Sequence, residues 1–162
     1  MPGSLFMTKP LQILLGGLLV LLPLNPLVAD TLLDGRVGRI MSGDRLLLIS
    51  ATGVRYKVRL QGISAPSPDT AAGRAAKRSL EMLLAGKPVN LQYRRRDAKG
   101  NVLGTVFIGG MDAALKQLKR GAARYFDGPT LSEEQRDRYR AAEQQAKARG
   151  MGLWGRPPSH RY

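Results

Sequence analysis

Arg55, Lys57 and Arg59 occupy alternate positions of Val54-Arg55-Tyr56-Lys57-Val58-Arg59-Leu60, and Arg94-Arg95-Arg96 form an unbroken basic run. Cations at every second residue project from one face of an extended chain, where they can contact successive phosphates of a polyanion. Arg39 and Arg45 lie close by in sequence. Other chemistry is scarce. The chain has no Cys and one His, His160, which excludes disulfides, thiolate metal sites, a Cys nucleophile and a His cluster. The 162 residues carry 26 Lys+Arg against 12 Asp+Glu, a formal net charge of +14. Charge of that size suits nucleic acid, an anionic membrane surface, or a surface kept soluble by self-repulsion, and composition does not choose among them. The arginine run also reads as a solvated strand end.

The elements that must position these groups follow from periodicity. In 54–60 the period of two sends Val54, Tyr56, Val58 and Leu60 to one face and the three cations to the other. Upstream, Asp34 to Ser50 reads as two short strands around a turn at Ser42-Gly43-Asp44. Pro66 and Pro68 end the third strand in a loop, and Asp69 or Thr70 caps a helix to about Ala85 that buries Ala76, Leu80, Leu83 and Leu84 before Gly86 stops it. Val89, Leu91 and Tyr93 alternate in the next strand, and Asp97-Ala98-Lys99-Gly100-Asn101 turns into a strand from Val102 to Ile108. A short helix spans Asp112 to Arg120, and Ser132-Glu133-Glu134-Gln135 is a capping box opening a helix to Arg149. The basic residues of that last helix alternate with acids and read as a solvated face. Trp154 reads as a core residue docking the chain end. Tyr93, Tyr125 and Phe126 are candidate stacking residues. Short strands with glycine turns, followed by helices, suggest a small five-stranded barrel with helices packed on it.

Five motifs in order then resemble the staphylococcal-nuclease (thermonuclease) family. They are Ser42-Gly43-Asp44-Arg45; Arg59-Leu60-Gln61-Gly62-Ile63-Ser64-Ala65-Pro66-Ser67; Gly73-Arg74-Ala75-Ala76; Asp97-Ala98-Lys99-Gly100-Asn101; and Ala141-Ala142-Glu143 with Gly152-Leu153-Trp154. The resemblance covers roughly residues 34–155. It implies an α+β domain with a mainly β core, a five-stranded OB-fold barrel with three packed helices. It also implies phosphodiester hydrolysis with Ca²⁺, which needs acidic metal ligands, a carboxylate to activate water, and arginines on the phosphate.

Carried over position by position, the resemblance makes Asp44 a metal ligand and Arg59 a phosphate-binding arginine. The other expected groups are missing. Ser64 stands for the second metal-ligand Asp, Ser67 for the catalytic Glu, Asn101 for the second Arg, and Ser42 for a further Asp. Ser is a poor Ca²⁺ ligand and no base near neutral pH. Asp69, two residues past Ser67, is a remote substitute, and Asp44 also has an ordinary turn role. The bases persist, and Arg45, Arg55, Lys57, Arg59, Arg94, Arg95 and Arg96 are the expected binding residues.

Before the domain, Lys9 precedes an apolar run from Leu11 to Leu22, prolines follow, and Leu27-Val28-Ala29 suits cleavage: a secretory signal peptide over 1–29. Removing it, with Lys9 its one charged side chain, leaves 133 residues at +13. The expected organisation is the nuclease-like domain over 30–155 and a polar tail over 156–162. The expected protein is monomeric and exported, periplasmic or secreted, without a membrane span after cleavage. It binds single-stranded DNA or RNA, or another polyanion, with catalysis impaired and no cofactor. A Ca²⁺-dependent nuclease with a rearranged site and a protein-interaction module remain as alternatives.

Overall fold

A computed structural model describes residues 30–155; the expected signal peptide and tail lie outside the described residues. Five strands close a barrel: β1 (Thr31–Ser42), β2 (Arg45–Ser50), β3 (Arg55–Leu60), then β5 (Pro88–Arg96) and β6 (Val102–Ile108). Between these groups come the short strand β4 (Ile63–Ser64) and helix α1 (Ala71–Leu84). After β6 follow β7 (Met111–Asp112), α2 (Ala113–Lys119), β8 (Arg124–Tyr125) and α3 (Glu133–Ala148). The order β3-β2-β1-β5-β6 is antiparallel throughout and is closed by a parallel β3–β6 pairing. The expected five-stranded barrel with three helices is the observed one.

Local chemistry explains most boundaries. β1 begins before Asp34, because Thr31 to Arg36 pair with β5 while Gly35 to Ser42 pair with β2. Register shifts between Val37 and Arg39 and between Ile40 and Ser42 bend this long strand so that it serves both neighbours. α1 is capped by Thr70, whose hydroxyl accepts the Gly73 N–H, so Asp69 is left free of the capping role. The capping box at Ser132 and Gln135 is present in full. Val54 departs from the expected alternation: it precedes β3 and is half exposed, because its backbone closes the turn onto Ser50.

The core fills the barrel and the gap beneath the helices with Leu46, Leu48, Val58, Leu60, Leu80 and Leu91, all essentially inaccessible. Tyr139 of α3 is fully buried and its hydroxyl donates to Asp112 at 2.7 Å. Asp112 also caps α2, and burial pushes its carboxyl above the ordinary range. Trp154 does not enter the core as expected. It is half-buried, with Arg124 and Lys147 against its ring at 5.2 and 4.6 Å.

Two close approaches fix the loops that carry polar groups. A Cβ on Gly43 would lie 2.6 Å from the Ala76 Cβ, so the β1–β2 turn sits directly on α1. A Cβ on Gly73 would fall 1.7 Å from the Ser67 carbonyl oxygen, so only glycine lets the 65–70 loop lie flat on the start of α1. Gly73→Ala is therefore expected to cost about 1–3 kcal/mol, the range for overpacking. Urea unfolding would show it as a lower midpoint.

Candidate nucleic-acid cleft

The positions singled out by sequence converge. Ser42, Asp44, Arg59, Ser64, Ser67 and Asn101 all line one cleft of about 800 Å³. That volume lies within the range of ligand sites in general. The fold brings them together from five places. Ser42 and Asp44 sit at the β1–β2 turn, and the Asp44 carbonyl accepts the Leu60 N–H at 2.8 Å, tying the turn to the end of β3. Ser64 is held by the small β4–β8 sheet, opposite Arg124. Ser67 belongs to the loop pressed on Gly73. Asn101 arrives on the β5–β6 hairpin, which the β3–β6 pairing sets beside Arg59.

Asp44 is buried and engaged. Its Oδ1 accepts from the Ser42 hydroxyl at 2.6 Å, and its Oδ2 lies 3.9 Å from Arg59 Nε. Arg59 is about two-fifths exposed and faces the cleft. Directly across the β2–β3 ladder stands Arg45, which also lines the cleft. Opposed like charges on one sheet face are destabilising, and an anion between them relieves the repulsion. Lys57 completes the basic wall from the same face of β3.

The hairpin adds two residues that the sequence placed in the turn motif but not in the site, Lys99 and Asp97. Asp97 is an acid entering the cleft, but its carboxylate is occupied. It accepts from Asn101 Nδ2 at 2.7 Å, from the Asn101 N–H at 2.9 Å and from the Lys99 N–H at 2.8 Å. These bonds, the Asn101 side-chain amide foremost, hold the Asp97 carboxyl below its ordinary value. Asn101 thus fastens the turn instead of reaching across the cleft. Ser67 donates to Asp69 at 3.2 Å on the exposed rim.

The donor set does not fit a Ca²⁺ ion, which takes 6–8 oxygens with several carboxylates among them. Asp44 faces a guanidinium, Asp97 is spent on its turn, and the remaining side-chain oxygens singled out by sequence are the hydroxyls of Ser42, Ser64 and Ser67 and the Asn101 amide, none of them a carboxylate. Among the described residues no group of three or more His, Cys, Asp or Glu could hold a metal.

The other expected binding residues lie elsewhere. Arg55 is exposed on β3 and does not line the cleft. Arg94 is ion-paired with Asp30, and Arg96 lies over the Tyr56 ring at 5.3 Å. The Arg95 side chain is outside the described residues. Tyr93, Tyr125 and Phe126 do not line the cleft either. Tyr93 faces a separate pocket, Tyr125 is half-buried beneath Arg140, and Phe126 is exposed.

Comparison with known proteins agrees with this fold. The family model described as staphylococcal nuclease homologue matches residues 57–156. An Escherichia coli protein named uncharacterized endonuclease is 30% identical over 127 residues, covering 75% of this chain and 77% of that protein. A probable staphylococcal-like nuclease, CAN1, of Oryza sativa subsp. japonica is 29% identical over 100 residues, covering 62% of this chain and 29% of its own. A probable endonuclease, LCL3, of Pyricularia oryzae is 32% identical over 115 residues, covering 64% of this chain and 45% of that protein. The chain therefore spans under a third of the plant relative's length and under half of the fungal one's.

The Asp97 turn makes a direct prediction. Carboxyl NMR titration should find Asp97 ionising below the ordinary 3.8, and Asn101→Ala should move it back toward that value by removing the largest contributor. The stability this group adds is present above its unfolded pKa and is lost as pH falls through the lower folded one. The variant should therefore show less loss of stability on acidification.

Proposed function

Because the chain belongs to the staphylococcal nuclease homologue family, we propose that it is an exported, monomeric protein that binds single-stranded nucleic acid in the cleft, with hydrolysis impaired. The observation that carries this reading is the composition of one surface. Arg45, Lys57, Arg59 and Lys99 line it, while Ser64, Ser67 and Asn101 stand where hydrolysis by the family's chemistry would need two carboxylates and a second arginine. Cations alone suffice for phosphate contacts. Loss of a general base typically costs ~10²–10⁴ in rate, and loss of a donor that stabilises charge in the transition state about 10²–10³. Export rests on the signal-like segment before Asp30, and N-terminal sequencing of secreted material should read Asp30 first.

A second reading is favoured by the relatives' names, which describe probable or uncharacterized endonucleases. In it the chain cleaves nucleic acid with a rearranged site that recruits its acid from Asp69 or Asp97.

Binding of a fluorescent single-stranded oligonucleotide, titrated against salt, tests the first reading. Affinity should fall linearly with log salt. Arg59→Ala should weaken binding and flatten the slope by about 0.7, one phosphate contact on a single strand. Asp44→Asn keeps an acceptor for Ser42 while removing the charge beside Arg59, so binding should tighten by roughly two- to fivefold, the scale of one partly exposed ion pair. Absence of binding at low salt would sink this reading. Cleavage in millimolar Ca²⁺ that disappears in Asp44→Asn would establish the second.

A further inference from the structure

A second pocket, of about 190 Å³, shares no lining residue with the cleft. Three glutamines define it. Gln61 donates to Thr105 at 2.7 Å and accepts from Thr130 at 2.8 Å. Gln135 donates to the same Thr105 hydroxyl at 3.3 Å, and its carbonyl accepts the Ser132 N–H at 3.1 Å. Gln92 donates to Asp30 at 2.5 Å. These bonds fix each amide plane. A carboxamide offers two N–H donors and two acceptor sites, so each glutamine retains hydrogen-bonding capacity beyond them. The pocket's one cation, Arg94, is paired with Asp30, and that pair leaves no net charge to draw a free anion. Tyr93 also lines the pocket, and its side chain packs against the core.

Oriented amides, hydroxyls and a guanidinium are among the groups that hold unpaired bases, which stack on arginine planes while their edges are hydrogen-bonded. The volume holds about six waters at ~30 Å³ each, the scale of one six-membered ring. The position also suits a base. Arg94 on β5 and Asp97 just past its end are three residues apart, at most about 10 Å at 3.3 Å per residue. Between them Arg96 lies over Tyr56. Arg59 of β3, in the cleft, is followed two residues later by Gln61 in the pocket, just past the end of the strand.

We propose that this pocket receives one pyrimidine-sized unpaired base of a strand whose phosphates lie in the cleft. The proposal rests on the nucleic-acid reading above. It would give the protein a base-dependent component of binding besides the charge-dependent one.

Two fluorescent oligomers of equal length and charge separate these components: oligothymidylate and the same backbone without bases. The wild-type protein should prefer the base-bearing strand roughly fivefold or more, the effect of one stacked base. Gln92→Leu and Thr130→Val alter different sides of the pocket, and Thr130→Val leaves the Asp30–Arg94 pair untouched. Each folded variant should lose most of that preference while keeping its salt slope. Equal affinity of the wild type for both strands overturns the pocket and leaves the cleft reading intact, as does a preference that survives in either folded variant. Failure of both strands to bind at low salt overturns the cleft reading itself and this proposal with it.

Discussion

The parallel pairing of β3 with β6 is the contact on which the other arrangements depend. It consists of Val58 opposite Val102, Arg59 opposite Leu103 and Leu60 opposite Gly104. Without it the five strands are an open sheet with Arg59 on an edge. With it the hairpin of residues 97–101 lies beside β3, and the cleft acquires its second wall. A short parallel ladder is weak on its own, so the closure depends on what it covers. Val58, Leu60 and Val102 are inaccessible, and burying each contributes on the order of 1.5–3 kcal/mol. A buried amide then locks the turn side. Gln117 of α2 donates to the Gly43 carbonyl at 2.9 Å and the Ala76 carbonyl at 3.0 Å, and accepts from Ser79 at 2.7 Å. Asp44 is the residue after Gly43, so this amide bears on the cleft without lining it.

Net charge is a poor measure of the cleft's basicity here, because much of the basic content has local work. Lys87 donates to the carbonyls of Met82 and Leu83 at the end of α1, and Arg120 reaches the Ser79 carbonyl. Arg136 bridges Asp127 and Glu133, and Lys147 pairs with Glu143. Such groups satisfy helix carbonyls or balance neighbouring acids. The cations of the cleft differ in kind. Arg45 and Arg59 are held opposite one another by the ladder, with Asp44 as partial compensation at 3.9 Å from Arg59. The sheet imposes that juxtaposition, which Asp44 and solvent offset only in part.

What was legible in the sequence was local in origin. The alternation of 54–60, the capping box at Ser132 and the stop at Gly86 each depend on neighbours a few residues away, and each is observed, the alternation from Arg55 onward. Gly86 has φ +68°. The motif order placed Asp44, Arg59, Ser64, Ser67 and Asn101 in one cleft, although they come from separate elements. What escaped depends on long-range contacts. The second pocket is built from pairs separated by 44, 69 and 62 residues, and glutamines in sequence carry no sign of it. Asn101 could be read as a missing arginine, but its bond to Asp97 is a property of the turn. Trp154 was misread because a lone tryptophan near a chain end is usually docked by apolar contacts, whereas two cations flank this ring.

The substitutions in the cleft have a consequence for stability as well as for chemistry. Carboxylates gathered to hold a metal repel one another until the cation neutralises them. Ser64 and Ser67 carry no charge to be neutralised, and Asp44 is satisfied internally by Ser42 and Arg59. The cleft can therefore fold without a metal, with its basic residues facing solvent and no acidic cluster to shield them. In such a site the charge deficit is on the ligand's side. A phosphate between Arg45 and Arg59 would supply negative charge that the cleft's own side chains offer only in part, through Asp44.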